Sequence, residues 1–201
     1  MAVFGFGISY GLLARSAGMG VLAPLVMSAT TFAGSAQFAV ASILGGDGGV
    51  VPAITAAVLL NARYVPIGIS IAPFLSGSPP ARLVRSQLVV DESWAVANRG
   101  GGRFDPRILL GAGLVLYAGW VSGTAIGLLG GNFLGDPRRL GLDAAFPALF
   151  LALVVPQLVT RRALAAAVAG GAIALALVPF AAPGVPIVAA ALACLLGVGR
   201  R

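Results

Sequence analysis

Arg63 is the only charged residue between Asp47 and Arg82, in the run Leu59-Leu60-Asn61-Ala62-Arg63-Tyr64-Val65-Pro66. A cation at membrane depth costs ~2.5–3.5 kcal/mol on insertion scales, so such a residue is kept for a partner or a ligand. Its planar fork suits a carboxylate, whether from another segment of the chain or from a substrate. Asn61 lies two positions earlier and therefore on a different helix face. Pro66 lacks the backbone donor that residue 62 would use, and can kink the helix beside both side chains.

Three further groups of residues bear on function. Phe32-Ala33-Gly34-Ser35-Ala36-Gln37-Phe38 sets the small residues Gly34 and Ser35 beside the amide of Gln37. Small side chains let two helices approach closely, with Gln37 as a bridge between them. They also let one helix unwind and turn its backbone groups toward a cavity and a substrate carboxylate. Asp91-Glu92-Ser93-Trp94 carries adjacent carboxylates. In an apolar setting one of them titrates at a raised pH, which suits proton coupling; on a surface helix both are simply solvated. Neighbours on one helix point about 100° apart, so Asp91 and Glu92 do not converge as the carboxylates of an aspartyl enzyme must. Gly119, Gly123, Gly127 and Gly131 recur every four residues and form one smooth stripe for a second helix, internal or from a partner.

The chain has no His and one cysteine, Cys194, in an apolar run, so no zinc site or internal disulfide is expected. No cofactor and no enzymatic activity follow from these residues.

Such side chains need a frame, and the composition names its class. The 201 residues are 59% hydrophobic and 9% charged, with a mean hydropathy of +1.00. A soluble domain carries about 25% charged residues. The apolar runs are continuous rather than alternating, which excludes a β-barrel. The expected fold is all-α, a polytopic transmembrane helix bundle forming a single domain over 1–201.

Apolar runs at 1–14, 21–44, 51–75, 108–130, 144–158, 163–179 and 183–199 give about seven spans. The first is short for a crossing, which needs about 20 residues, and no basic stretch marks it as a cleaved signal. Residues 87–98 read as a re-entrant or surface segment. All 13 basic residues are Arg, and the net charge is +7. They cluster in connections, so membrane orientation and anionic lipid explain them before nucleic acid does. Placing Arg15, residues 82–107, Arg161-Arg162 and Arg200-Arg201 inside puts 10 of the 13 in the cytoplasm. That assignment sets the N-terminus outside and the C-terminus inside. Three spans then precede the cytoplasmic connection 77–107 and three follow it, before the last helix 183–199. Halves 1–76 and 108–179 would be inverted repeats, with a substrate site near the midplane between them.

The 32–38 run, then Asn61-Ala62-Arg63-Tyr64, then Asp91-Glu92, resembles the AzlC family of branched-chain amino acid permeases. Leu142-Asp143-Ala144-Ala145-Phe146-Pro147-Ala148-Leu149-Phe150 is similar to that family as well. The resemblance implies the large subunit of a two-component exporter in the bacterial inner membrane, working with a small hydrophobic AzlD-type partner. Valine, leucine and isoleucine are the implied substrates, moved by a proton or ion gradient. On that reading Gly34, Ser35 and Gln37 form a broken-helix site for the amino-acid backbone. Arg63, oriented by Asn61, engages the carboxylate or locks the gate, and Asp91 or Glu92 carries the proton. The chain departs from the family at Tyr64, where a His is common, and at Gly5, where a Pro is expected. A rival reading is a non-transporting membrane subunit whose glycine stripe organises a partner.

Overall fold

A computed structural model describes residues 2–130, 151, 154–155, 158–181 and 185–193. Among them every regular element is a helix, apart from one isolated β-bridge between Asn98 and Phe104. The helices are α1 (Ala2–Ser16), α2 (Leu22–Thr30), α3 (Gly34–Gly45), α4 (Val50–Asn61) and α5 (Tyr64–Ile71), which runs into a 3-10 turn at Ala72–Phe74. Then come α6 (Pro79–Ser86), α7 (Asp91–Ala97), α8 (Pro106–Gly130), α9 (Arg161–Leu177) and α10 (Val185–Ala191). Among the described residues two stretches, Val50–Phe74 and Pro106–Gly130, are each 25 residues long and apolar enough to cross a membrane.

The central packing is α1 on α8, and glycine makes it. A Cβ on Gly7 would stand 2.7 Å from Trp120 O, and one on Gly11 would stand 2.8 Å from Leu128 N. Gly123 and Gly127 lie against the backbones of Phe4 and Ile8 just as closely. Three of the four glycines in the expected stripe thus face α1, within the chain itself; Gly131 lies outside the described residues. The stripe is spent internally, which removes the ground for reading it as a partner's groove.

This seam also fixes direction. Gly7 meets Gly123 and Gly11 meets Gly127, so α1 and α8 run parallel. Inverted repeats require their first helices to run opposite ways. The expected inverted pairing of α1 with α8 is therefore corrected. So is the expectation of an outside N-terminus opposite a cytoplasmic 77–107, because the start of α1 lies on the same side as the segment leading into α8.

The expected full span over 21–44 is corrected too. The helix stops at Thr30 and restarts at Gly34, with Phe32 at a left-handed φ of 42° between them. Gln37 reaches back to Ser28 at 2.9 Å, closer than any straight or gently bent helix allows for residues nine apart. So α2 and α3 fold into a V. Both its ends lie near the C-terminal end of α1, where Gly45 sits against Ala17. At ~1.5 Å per residue, neither arm crosses a ~30 Å hydrocarbon core. The open carbonyls at the end of α2 find donors elsewhere: Gln87 Nε2 reaches Thr30 O at 2.8 Å, and Tyr117 Oη reaches Ala29 O at 2.8 Å.

Residues 144–150, the arginines and acids between 131 and 143, Cys194 and the Arg200-Arg201 tail lie outside the described residues. The expected spans 144–158 and 183–199 are described only in part.

Candidate functional site

The site lies where two interruptions of regular helix meet. One is the 31–33 turn of the V. The other is at Ala62-Arg63, between α4 and α5. Pro66 has no N–H for Ala62 O, and Val65 N takes that oxygen instead at 3.1 Å. The helix tightens there rather than breaking open, and the turn presents Arg63 sideways.

Arg63 Nη2 donates to Ser35 Oγ at 2.7 Å, in the first turn of α3. The same nitrogen stands 2.9 Å from Asp91 Oδ2, at the start of α7. The side chains of Arg63 and Asp91 are 34% and 26% exposed, so the pair is neither sealed nor free in water. The guanidinium carbon also lies 5.3 Å from the centre of the Tyr64 ring, within cation–π reach. One cation thus ties α3, the α4–α5 turn and α7 together. Its Nε is buried without a hydrogen-bond partner, and so is Asn61 Oδ1.

Helix α7 is held in this place by its own contacts, which makes 87–98 a segment folded back onto the bundle. Ser93 Oγ caps its first turn by accepting from Val90 N at 2.9 Å. Trp94 Nε1 donates to Ser70 Oγ on α5 at 2.9 Å. Its indole packs on Phe104, which packs in turn on Phe74. The backbone of Leu88 lies directly on Gly113 of α8, with no room for a Cβ there. Glu92 keeps an exposed face. Desolvation by the protein around it nevertheless holds its carboxyl above the ordinary glutamate range, with Asp91 adding to the rise and a backbone hydrogen bond and Arg63 opposing it.

Gln37 sits in a different environment, fully buried. Its Nε2 donates to Ser28 Oγ at 2.9 Å and its Oε1 accepts from Trp120 Nε1 at 3.0 Å. Thr124 Oγ1 donates to Trp120 O at 2.8 Å, so in its 2.9 Å contact with Ser28 it is the acceptor. The ring of bonds closes on itself. Tyr10 stacks on Trp120 beside it at 5.9 Å. Gly34 lies under the indole, where a Cβ would stand 2.9 Å from Trp120 Cη2. The structure therefore brings together Ser35, Arg63 and Asp91, with Asn61 two residues before Arg63 at the end of α4, and it puts Gln37 and Gly34 behind them against α8.

Ser28, Thr124 and Trp120 were not expected at this centre. A signal existed: Trp120 and Thr124 are four apart, on the helix that carries the glycine stripe, and lone hydroxyls in apolar runs seek partners.

Beside the junction lies a cavity of about 580 Å3, lined by Phe32, Tyr64, Ile67, Gly68, Ile71 and Arg82 among others. It is largely apolar. Tyr64 forms part of its wall and also stacks on Arg63, so cavity and junction adjoin.

Comparison with known proteins places these features. The family model described as AzlC protein matches residues 1–134, which include every residue of the junction. An uncharacterized membrane protein of Archaeoglobus fulgidus is 35% identical over 202 residues, covering 96% of this chain and 86% of its own. The branched-chain amino acid transport protein AzlC of Bacillus subtilis is 30% identical over 158 residues, 75% of this chain; the chain spans 60% of that relative's length. The inner membrane protein YgaZ of Escherichia coli is 25% identical over 169 residues, 78% of this chain and 67% of its own. No solved structure matches the chain.

Proposed function

The chain belongs to the AzlC family, and from that premise we propose that it is the large subunit of a secondary transporter exporting valine, leucine, isoleucine or related apolar amino acids. One observation carries this reading. A single guanidinium sits between a helix turn, a broken helix and a carboxylate, beside a largely apolar cavity of about 580 Å3, roomy enough for an aliphatic side chain. A substrate carboxylate is the natural ligand for such a cation. The aliphatic side chain would occupy the cavity against Ile67, Gly68 and Ile71, where burial contributes about 25 cal/mol per Å2.

In this mechanism Arg63 binds and orients the carboxylate, and Ser35 and Gly34 shape the broken-helix wall. Gln37 holds that wall from behind. Asp91 is released when the substrate takes Arg63, and Asp91 or its neighbour Glu92 carries the coupling proton. No covalent step is asked of these residues. Helix α7 moves with Asp91, so release of the pair and opening of the site are one event. An AzlD-type small subunit completes the exporter, and the whole chain works as one transporter domain in the inner membrane. The five arginines of 82–107 set that face in the cytoplasm by the positive-inside rule. On this reading the start of α1 lies inside as well, which the parallel seam supports. The C-terminal end, expected inside, lies beyond the described residues.

The test is efflux of labelled valine from proteoliposomes holding this chain with its small partner. Gradient-driven efflux supports the reading. A correctly inserted complex that moves no amino acid overturns it.

A further inference from the structure

Among the described residues, two buried side-chain atoms have no hydrogen-bond partner: Asn61 Oδ1 and Arg63 Nε. One is an acceptor and the other a donor, and they flank the same turn. A buried group left unpaired costs ~1–3 kcal/mol, so two of them two residues apart at one helix interruption call for a ligand that answers both. An α-amino acid does. Its ammonium donates and its carboxylate accepts, one carbon apart.

The ion pair shows how such a ligand gains entry. Asp91 Oδ2 touches Nη2 alone, which leaves Nε idle. A carboxylate arriving side-on takes Nε–H and Nη2–H together, and a two-bond fork is stronger than one charged bond. We propose that Asn61 and Arg63 form a clamp for the free zwitterion. Asn61 Oδ1 receives the α-ammonium. Arg63 takes the α-carboxylate through Nε and Nη2 and lets Asp91 go. Both atoms are covered while Arg63 holds Asp91, so the ligand reaches them only as that pair opens. This rests on the reading of the junction as an amino-acid site, and it goes further by requiring both charged ends of the ligand.

The experiment uses the chain with its small partner in liposomes, and three probes: valine, 3-methyl-2-oxobutanoate, which lacks the ammonium, and isobutylamine, which lacks the carboxylate. Wild-type protein should bind valine roughly tenfold or more tighter than either analogue. Asn61→Leu should weaken valine roughly tenfold, leave the oxo acid unchanged, and so erase the preference between them. Asn61→Asp, which keeps an acceptor, should retain that preference. Wild-type protein that binds the oxo acid as well as valine overturns the clamp without recourse to any variant, as does folded Asn61→Leu with its preference intact. Protein that binds neither valine nor any other amino acid overturns the transport reading itself, and the clamp with it.

Discussion

Ser35 and Gln37 are two residues apart on α3, and their surroundings are opposites. Gln37 lies in a closed ring with Ser28, Thr124 and Trp120, in which each donor has an acceptor. Ser35 meets Arg63, which is partly exposed, shares one nitrogen between two acceptors, and leaves another unused. A closed polar ring in a low-dielectric interior rigidifies the fold. An incomplete one has affinity to spare for a ligand. The polar residues of the bundle thus divide into a structural centre and a working centre that share one helix.

Loss of Arg63 should separate the two most sharply. Arg63→Ala is expected to lower valine efflux by roughly a hundredfold or more, since two charge-assisted bonds to the carboxylate vanish, while the protein still inserts and melts cooperatively. Full efflux by inserted Arg63→Ala would falsify the working role of this junction. Next in size is the cavity. A Cβ on Gly68 meets nothing within 4 Å, so Gly68→Val fits the fold and narrows the pocket. Isoleucine and leucine efflux should then fall about tenfold relative to alanine. An unchanged substrate ranking in competition assays would move the side-chain site elsewhere.

The structural centre predicts the reverse pattern. Gln37→Leu leaves Trp120 Nε1 without an acceptor and takes from Ser28 Oγ one of its two bonds in a sealed interior, and should cost about 1–3 kcal/mol of stability in denaturation, with efflux per folded molecule little changed. Lost efflux with undiminished stability would return Gln37 to the substrate. The smallest expected effect concerns pH. The Glu92 carboxyl titrates higher in the folded chain than in the unfolded one. The folded state therefore binds the extra proton, and the stability this contributes is complete below the ordinary glutamate pKa and fades as pH rises through the raised value. Glu92→Gln should flatten that decline in melting curves taken from acid to mildly alkaline pH. An unaltered slope would mean that the solvated face of Glu92 governs it.

Much of the working centre could be read from residue types. Arg63 announced itself as the lone charge in an apolar run that wants a carboxylate, and it is the folding back of 87–98, not residue type alone, that selects Asp91. The glycine spacing announced a close helix contact. The V of α2 and α3 was harder to see, because an apolar run long enough to span looks the same whether or not it turns back. What turns it is a left-handed Phe32 and the donors Gln87 and Tyr117, which come from distant parts of the chain and satisfy the freed carbonyls.

Composition determined a chain built for apolar surroundings, since 9% charged residues cannot coat a soluble globule of this size, and the continuous apolar runs determined helix over strand. It also determined which few polar side chains needed partners, because an unpaired one is costly there. Only the tertiary structure decided who those partners are and which way the helices run. Hydrophobicity is non-directional, so a parallel and an antiparallel α1–α8 seam bury the same apolar area. Glycine-to-glycine register and a handful of long-range hydrogen bonds select one of them.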